Sequence, residues 1–289
     1  MCPTDFSPGS QDAARLAVRV ATSSGAELVL AHVWHVPMLA YGGADPFPAE
    51  VIARMIKDKE RKLDAAVTAA KGLGAQHVSS VFLTGAPWDQ VVETLRADDA
   101  FDLVVTGTHG RTGLARVLMG SVAEKVARHA PCSVLVARPA NDASTFAHVL
   151  CPIDFSDSSR QALDHAGELA KTTGAGIALL HVIELPITYN DELSMADFLE
   201  GIEQRSRELL EDWAADLRTK VAVPVTTEVR IGSPVMQTLA VLENDPTFDL
   251  VVVGSHGRTG LRRALLGSVA EKLVRHAGCP VLVARTRAA

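Results

Sequence analysis

Apolar positions along the chain switch between two spacings. In the C-terminal half, FAHVLCPI (146–153) is an apolar run, broken only by His148, that ends at Pro152-Ile153 and reads as a strand. Asp157–Thr173 then carries Ala162, Leu163, Ala166, Leu169 and Ala170 at helical spacing. A strand over 176–183, a longer helix over 192–219, a strand over 225–230 and a helix over 234–243 follow. The half closes with FDLVVVG and PVLVAR as strands flanking a helix over 268–277. Strands as uniformly apolar as LVVVG and VLVA are buried on both faces, which suits a parallel sheet with helices on both sides.

The N-terminal half repeats this pattern almost letter for letter. FDLVVTGTHGRTGLARVLMGSVAEKVARHAPCSVLVAR (101–138) matches FDLVVVGSHGRTGLRRALLGSVAEKLVRHAGCPVLVAR (248–285) at most positions. CPTDFSPGS (2–10) pairs with CPIDFSDSS (151–159), and ELVLAHVWHVP (27–37) with GIALLHVIELP (176–186). The chain is one unit written twice, with domains over 1–140 and 146–289 joined by the polar stretch PANDAST, Pro139–Thr145. The expected fold class is α/β: two tandem doubly wound open sandwiches, Rossmann-like, each with a five-stranded parallel sheet. In the first unit the expected opening strand is truncated in this sequence, which begins one residue before Cys2: either the start lies further upstream, the strand is supplied from elsewhere, or the unit is damaged. In such a sheet that strand is central, and its neighbours would lose ladder partners at a cost of about 1–3 kcal/mol per buried unsatisfied group.

Composition narrows the function. Twenty-eight Lys and Arg against 34 Asp and Glu give a net charge of −6, which disfavours a nucleic-acid partner. No apolar run approaches the ~20 residues that span a bilayer, and the N-terminus lacks the pattern of a secretory signal. Cys2, Cys132, Cys151 and Cys279 form no CxxC pair and no metal-ligand spacing. They read as buried thiols in a reducing cytoplasm.

The chemistry concentrates after the fourth strand of each unit. Gly107-Thr-His-Gly110 is followed by nine residues and Gly120-Ser121; Gly254-Ser-His-Gly257 is followed by nine residues and Gly267-Ser268. Ligands of doubly wound sheets bind beyond the carboxyl ends of the strands, where this loop lies. The first glycines permit positive φ and close backbone approach. Gly120-Ser121 and Gly267-Ser268 open helices whose free N–H groups and dipole favour a phosphate. A competing role is a capping box, since Glu124 and Glu271 stand three residues after the serines. Neither a Walker A lysine nor the dinucleotide fingerprint is present.

On these residues the chain resembles the universal stress protein family over nearly its whole length, as a tandem of two domains of the ATP-binding type, whose motif is G-x2-G-x9-G-(S/T). The resemblance implies that Gly107, Gly110, Gly120, Ser121 and Val122 hold ribose and phosphates, with Gly254, Gly257, Gly267, Ser268 and Val269 doing so in the second unit. It implies that Asp5 and Asp154 lie near adenine and ribose. Val33 and Val182 would offer main-chain hydrogen bonds to the base, while Pro3, Thr4, Pro152 and Ile153 line its pocket. The ligand implied is ATP, or ADP or AMP. Pairing through the last strands, Ser133–Ala137 and Pro280–Ala284, is implied between units or in a homodimer.

Read from the residues, Asp154 follows a strand end and serves either the ligand edge or a turn before the helix. Arg111 and Arg258 serve as phosphate clamps or face solvent; His109 and His256 serve as bases or as plain loop side chains. Arg128-His129 and Arg275-His276 suit a helix C-terminus. The apolar stripes of Ala49–Lys71 and Glu192–Thr219 read as faces packed on the sheet. Three functions remain open: a nucleotide-binding stress or signalling protein with slow or no turnover; an ATP hydrolase or nucleotidyl-transfer enzyme using His256, Asp154 and Mg2+; and a dimeric scaffold that takes no nucleotide.

Overall fold

The computed structural model describes residues 1–35, 48–108, 120–139, 145–185, 192–257 and 266–286, with side chains of the long second-unit helix considered from residue 199 onward. The chain divides into two compact units, Met1–Ala140 and Asn141–Thr286.

In the first unit β1 (Cys2–Pro3) leads to α1 (Pro8–Ser24), β2 (Leu28–Trp34), α2 (Ala49–Gly72) and β3 (Val78–Thr84). Then come α3 (Pro87–Ala97), β4 (Leu103–Gly107), α4 (Ser121–His129) and β5 (Ser133–Ala137). The second unit repeats the order as β6 (His148–Ile153), α5 (Asp157–Thr173), β7 (Gly176–Ile183), α6 (Glu192–Lys220) and β8 (Val225–Ile231). It ends with α7 (Pro234–Asn244), β9 (Leu250–Gly254), α8 (Ser268–His276) and β10 (Val281–Ala284). Within each unit the strand pairs β1–β2, β2–β3, β4–β5, β6–β7, β7–β8, β6–β9 and β9–β10 are parallel. Within the second unit the order is β8-β7-β6-β9-β10, the doubly wound arrangement with a switch between β6 and β9.

The units repeat in register as well as in sequence. Cys2 pairs with Leu30 as Cys151 pairs with Leu179. The strands are apolar because helices cover both faces: Val149, Leu150, Cys151, Leu179, Val251, Val252 and Val281 are buried. α1 and α5 start on the hydroxyls of Ser7 and Ser156, which accept from the backbone of Ser10 and Ser159. They stop at Gly25 and Gly174, both left-handed at φ 69° and 75°.

β1 is two residues long where β6 has six, so the short opening strand is observed, yet its neighbours keep ladder bonds beside it. The Met1 amino group donates to the Leu103 carbonyl at 2.8 Å, and Val105 N–H donates to the Met1 carbonyl at 2.9 Å. Backbone of Met1 thereby continues the ladder from β1 to β4, and the feared pair of unsatisfied neighbours is avoided. The stripe of α2 packs less fully than its periodicity implies. Leu63 and Ala70 are buried, whereas Met55 is exposed and Val51, Ile52 and Ile56 are half-buried.

Candidate functional site

Each unit gathers its candidate residues at the carboxyl edge of the sheet. Three segments meet there: the turn after the first strand, the end of the second strand, and the segment joining the fourth strand to its helix. Gly110, Arg111, Arg258 and His109 lie outside the described residues, as do most of the loops between Pro37 and Pro48 and between Pro186 and Asp191.

The turn after the first strand is built identically twice. Asp5 accepts at Oδ1 from Ser7 N–H at 3.0 Å and from the Ser7 hydroxyl; Asp154 accepts from Ser156 N–H at 3.0 Å and from the Ser156 hydroxyl. Between acid and serine, Phe6 and Phe155 adopt left-handed backbone at φ 65° and 62°. Such a conformation costs a bulky residue about 1–3 kcal/mol and persists only where the surroundings impose it. The imposing partner is a histidine on the second strand. His32 Nδ1 lies 2.7 Å from the Thr4 carbonyl, and His181 Nδ1 lies 2.7 Å from the Ile153 carbonyl. A carbonyl only accepts, so Nδ1 carries the proton in both rings. Each histidine is buried and stacks on the left-handed phenylalanine with ring centroids 4.5 Å apart. In the second unit Trp213 adds an edge-on contact to Phe155, with the Arg160 guanidinium 4.3 Å over its indole.

None of His32, His181, Phe6 or Phe155 was singled out from sequence. The signal was present: DFS and HV recur at the same register in both halves.

On the second strands, Val33 and Val182 turn their main-chain groups toward β1 and β6. Thr4 N–H donates to the Ala31 carbonyl, so Ala31 and, two residues on, Val33 turn their main-chain groups toward β1. Gly176 N–H donates to the Ala147 carbonyl, which by the same alternation turns Val182 toward β6. β1 stops at Pro3 and β6 at Ile153, so the carbonyls of both valines face the space past the end of the central strand.

The glycine loop is closed at its neck by one backbone bond. Gly120 N–H donates to the Thr108 carbonyl at 2.6 Å; Gly267 N–H donates to the Ser255 carbonyl at 2.8 Å. Immediately after the neck, α4 and α8 begin with no side-chain cap. The N-cap residues are Gly120 and Gly267, so Ser121 and Ser268 occupy the first helical turn instead of capping it. Glu124 and Glu271 reach along the helix to Arg128 at 3.3 Å and Arg275 at 3.4 Å. The expected capping box is therefore not formed, and the first N–H groups of both helices have no partner within the helix. Ser121 and Ser268 are exposed, and Val122 and Val269 half-buried.

The described glycines of this segment do not use a left-handed backbone. Gly107, Gly254, Gly257 and Gly267 are not among the positive-φ residues. A Cβ on Gly254 would lie 2.6 Å from the Ser158 carbonyl oxygen, and one on Gly107 would overlap the Gly9 carbonyl. Glycine is required there because the first turn of α5 or α1 packs onto the end of the fourth strand. At Gly257 the close neighbour is the Asp154 carboxylate, 3.1 Å from where a Cβ would stand, which brings acid and loop together.

His256 points into the protein. Its backbone N–H donates to Ser158 Oγ at 3.1 Å, its Nδ1 lies 2.9 Å from Ser255 Oγ, and its Nε2 is buried. Burial, joined by the nearby Arg285 charge, lowers its pKa. Among the described residues no group of His, Cys, Asp and Glu is arranged to hold a metal ion, and no helix is long and apolar enough to cross a membrane.

With that geometry in hand, comparison with known proteins is specific. The model of the universal stress protein family matches residues 1–138 and again 145–285. A universal stress protein of Mycolicibacterium smegmatis is 32% identical over 288 residues, covering 98% of this chain and 95% of its own length. One from Mycobacterium tuberculosis is 32% identical over 250 residues, 79% of this chain and 78% of its own. Among solved structures, a universal stress protein from Archaeoglobus fulgidus superposes with a TM-score of 0.70 at 23% identity, covering 98% of this chain and 97% of that one, a likeness of fold. Two family matches in tandem, each on one unit, establish that the chain belongs to the universal stress protein family and carries two of its domains.

Proposed function

We propose that each unit binds an adenine nucleotide, ATP or its diphosphate or monophosphate, and that occupancy is the signal in a stress-response role, with turnover slow or absent. The observation that carries this reading is the start of α4 and α8 without a side-chain cap, directly after Gly120 and Gly267, whose N–H groups bond Thr108 and Ser255. Free amides at a helix N-terminus, with the dipole behind them and an exposed serine hydroxyl beside them, suit a phosphate chain. The base would sit past the ends of β1 and β6, against Pro3, Thr4, Pro152 and Ile153 and within reach of the Val33 and Val182 carbonyls. Asp5 and Asp154 would face the ribose. Gly107, Gly110 and Arg111, with Gly254, Gly257 and Arg258, would complete the phosphate wall. Slow turnover fits the inward-facing His256, whose Nδ1 meets Ser255 Oγ and whose Nε2 is buried. The four buried thiols fit a cytoplasmic setting.

The test is equilibrium ATP binding by calorimetry to the wild-type chain and to a Ser121→Asp/Ser268→Asp variant. A carboxylate in the first turn favours the helix dipole, so the variant folds at least as stably, yet it repels phosphate. Wild type should bind with saturation and the variant at least about tenfold more weakly, which is 1.4 kcal/mol. Equal binding by both would reject the phosphate assignment.

A further inference from the structure

We infer that His32 and His181 are positioning residues for nucleotide binding: each sets the strand-end turn so that the following aspartate and the strand-end carbonyl hold their binding geometry. The inference rests on the nucleotide site proposed above and adds a function to two residues that line no part of it.

Three observations converge on each histidine. The carbonyl it takes belongs to Thr4 or Ile153, the residue at which the central strand leaves the ladder. A strand-end carbonyl without a ladder partner would turn toward water and carry the next residue with it. The ring then stacks on the one non-glycine residue that is left-handed among the unit's described residues, Phe6 or Phe155. The left-handed residue, finally, stands between the aspartate and the serine that fixes its carboxylate. In the second unit the consequence is visible as the Asp154 carboxylate resting against Gly257. Carbonyl, strained residue and acid form one rigid chain of contacts with histidine at its root. The same chain, with the same 2.7 Å and 4.5 Å separations, occurs in both units although the residues between differ. A histidine kept only for packing has no reason to repeat its hydrogen bond at the strand end.

The two halves of the role can be separated. Asparagine places an amide N–H near the position of Nδ1–H but has no ring; phenylalanine keeps the ring and loses the donor. Full-length wild type, His32→Asn/His181→Asn and His32→Phe/His181→Phe are titrated with ATP, and their apo thermal unfolding is recorded. The phenylalanine pair should keep the ring contact and unfold cooperatively, yet bind ATP about tenfold more weakly. The asparagine pair should recover most of that affinity. Phenylalanine variants that bind like wild type, or asparagine variants that bind no better than phenylalanine ones, overturn the inference while leaving the site standing. A wild-type chain that takes up no ATP overturns both. Imidazole nitrogen resonances of the wild type give an answer independent of any variant. The Nδ1–H form should be seen for two histidines, with shifts that move on ATP addition; Nε2–H forms, or resonances indifferent to ATP, would overturn it.

Discussion

Phe6 and Phe155 show how much a single backbone angle can carry. Their left-handed φ is held by stacking on a buried histidine, so the two contributions can be pulled apart by truncation. Phe155→Ala loses the ring and retains the strained angle; Phe155→Gly loses the ring and relieves it. The glycine variant should be the more stable of the two by about 1 kcal/mol in urea denaturation, the reverse of the usual order. The thiols give a second residue-scale expectation. Burial pushes Cys2 and Cys151 up to about 12, while the unfolded chain titrates them near 9.0. A raised folded value means the contribution is whole below pH 9.0 and is lost as pH climbs toward 12. Urea midpoints should therefore fall between about pH 8 and about pH 10.5, and fall less in Cys2→Ala/Cys151→Ala. At this scale sequence reading named Asp154 and the glycines as candidates, but not His32 or His181. A buried polar side chain inside an apolar strand carries no periodic signature, and its role comes from a carbonyl 28 residues away.

At the scale of elements, apolar periodicity located the helices and strands of the second unit to within a residue or two. Asp157–Thr173 and Gly176–Ile183 coincide with the expected bounds. That follows from the double burial of the strands, which leaves no polar face to confuse the pattern. The beginnings of α4 and α8 were less legible. Ser-x-x-Glu is the usual spelling of a capping box, but here Glu124 and Glu271 are drawn to arginines four residues on, so glycine holds the cap position. Glycines elsewhere also need context. Gly201, exposed in α6, has nothing within 4 Å of a Cβ, so Gly201→Ala should stabilise by about 0.5–1 kcal/mol. Gly254→Ala should destabilise by about 1–3 kcal/mol, because its Cβ meets the Ser158 backbone. Thermal melts of the two single variants compare these directly.

For the whole molecule, duplication predicts stoichiometry. Two family matches and two uncapped helix starts lead to an expected uptake of two nucleotides per chain. Ser121→Asp or Ser268→Asp alone should each reduce it to one, read by equilibrium dialysis with labelled ATP. The units are not copies in every contact. Ser158 bonds the His256 backbone where the first unit has Gly9, and Trp213 with Arg160 wall the second unit where Lys59 approaches Phe6 in the first. Yet the neck bond from Gly120 to Thr108 and from Gly267 to Ser255 joins main chain to main chain, indifferent to whether the acceptor residue is threonine or serine. A grip written in amides is inherited through almost any exchange of letters around it. After duplication, the neighbouring side chains were at liberty to diversify, while each half kept that main-chain bond.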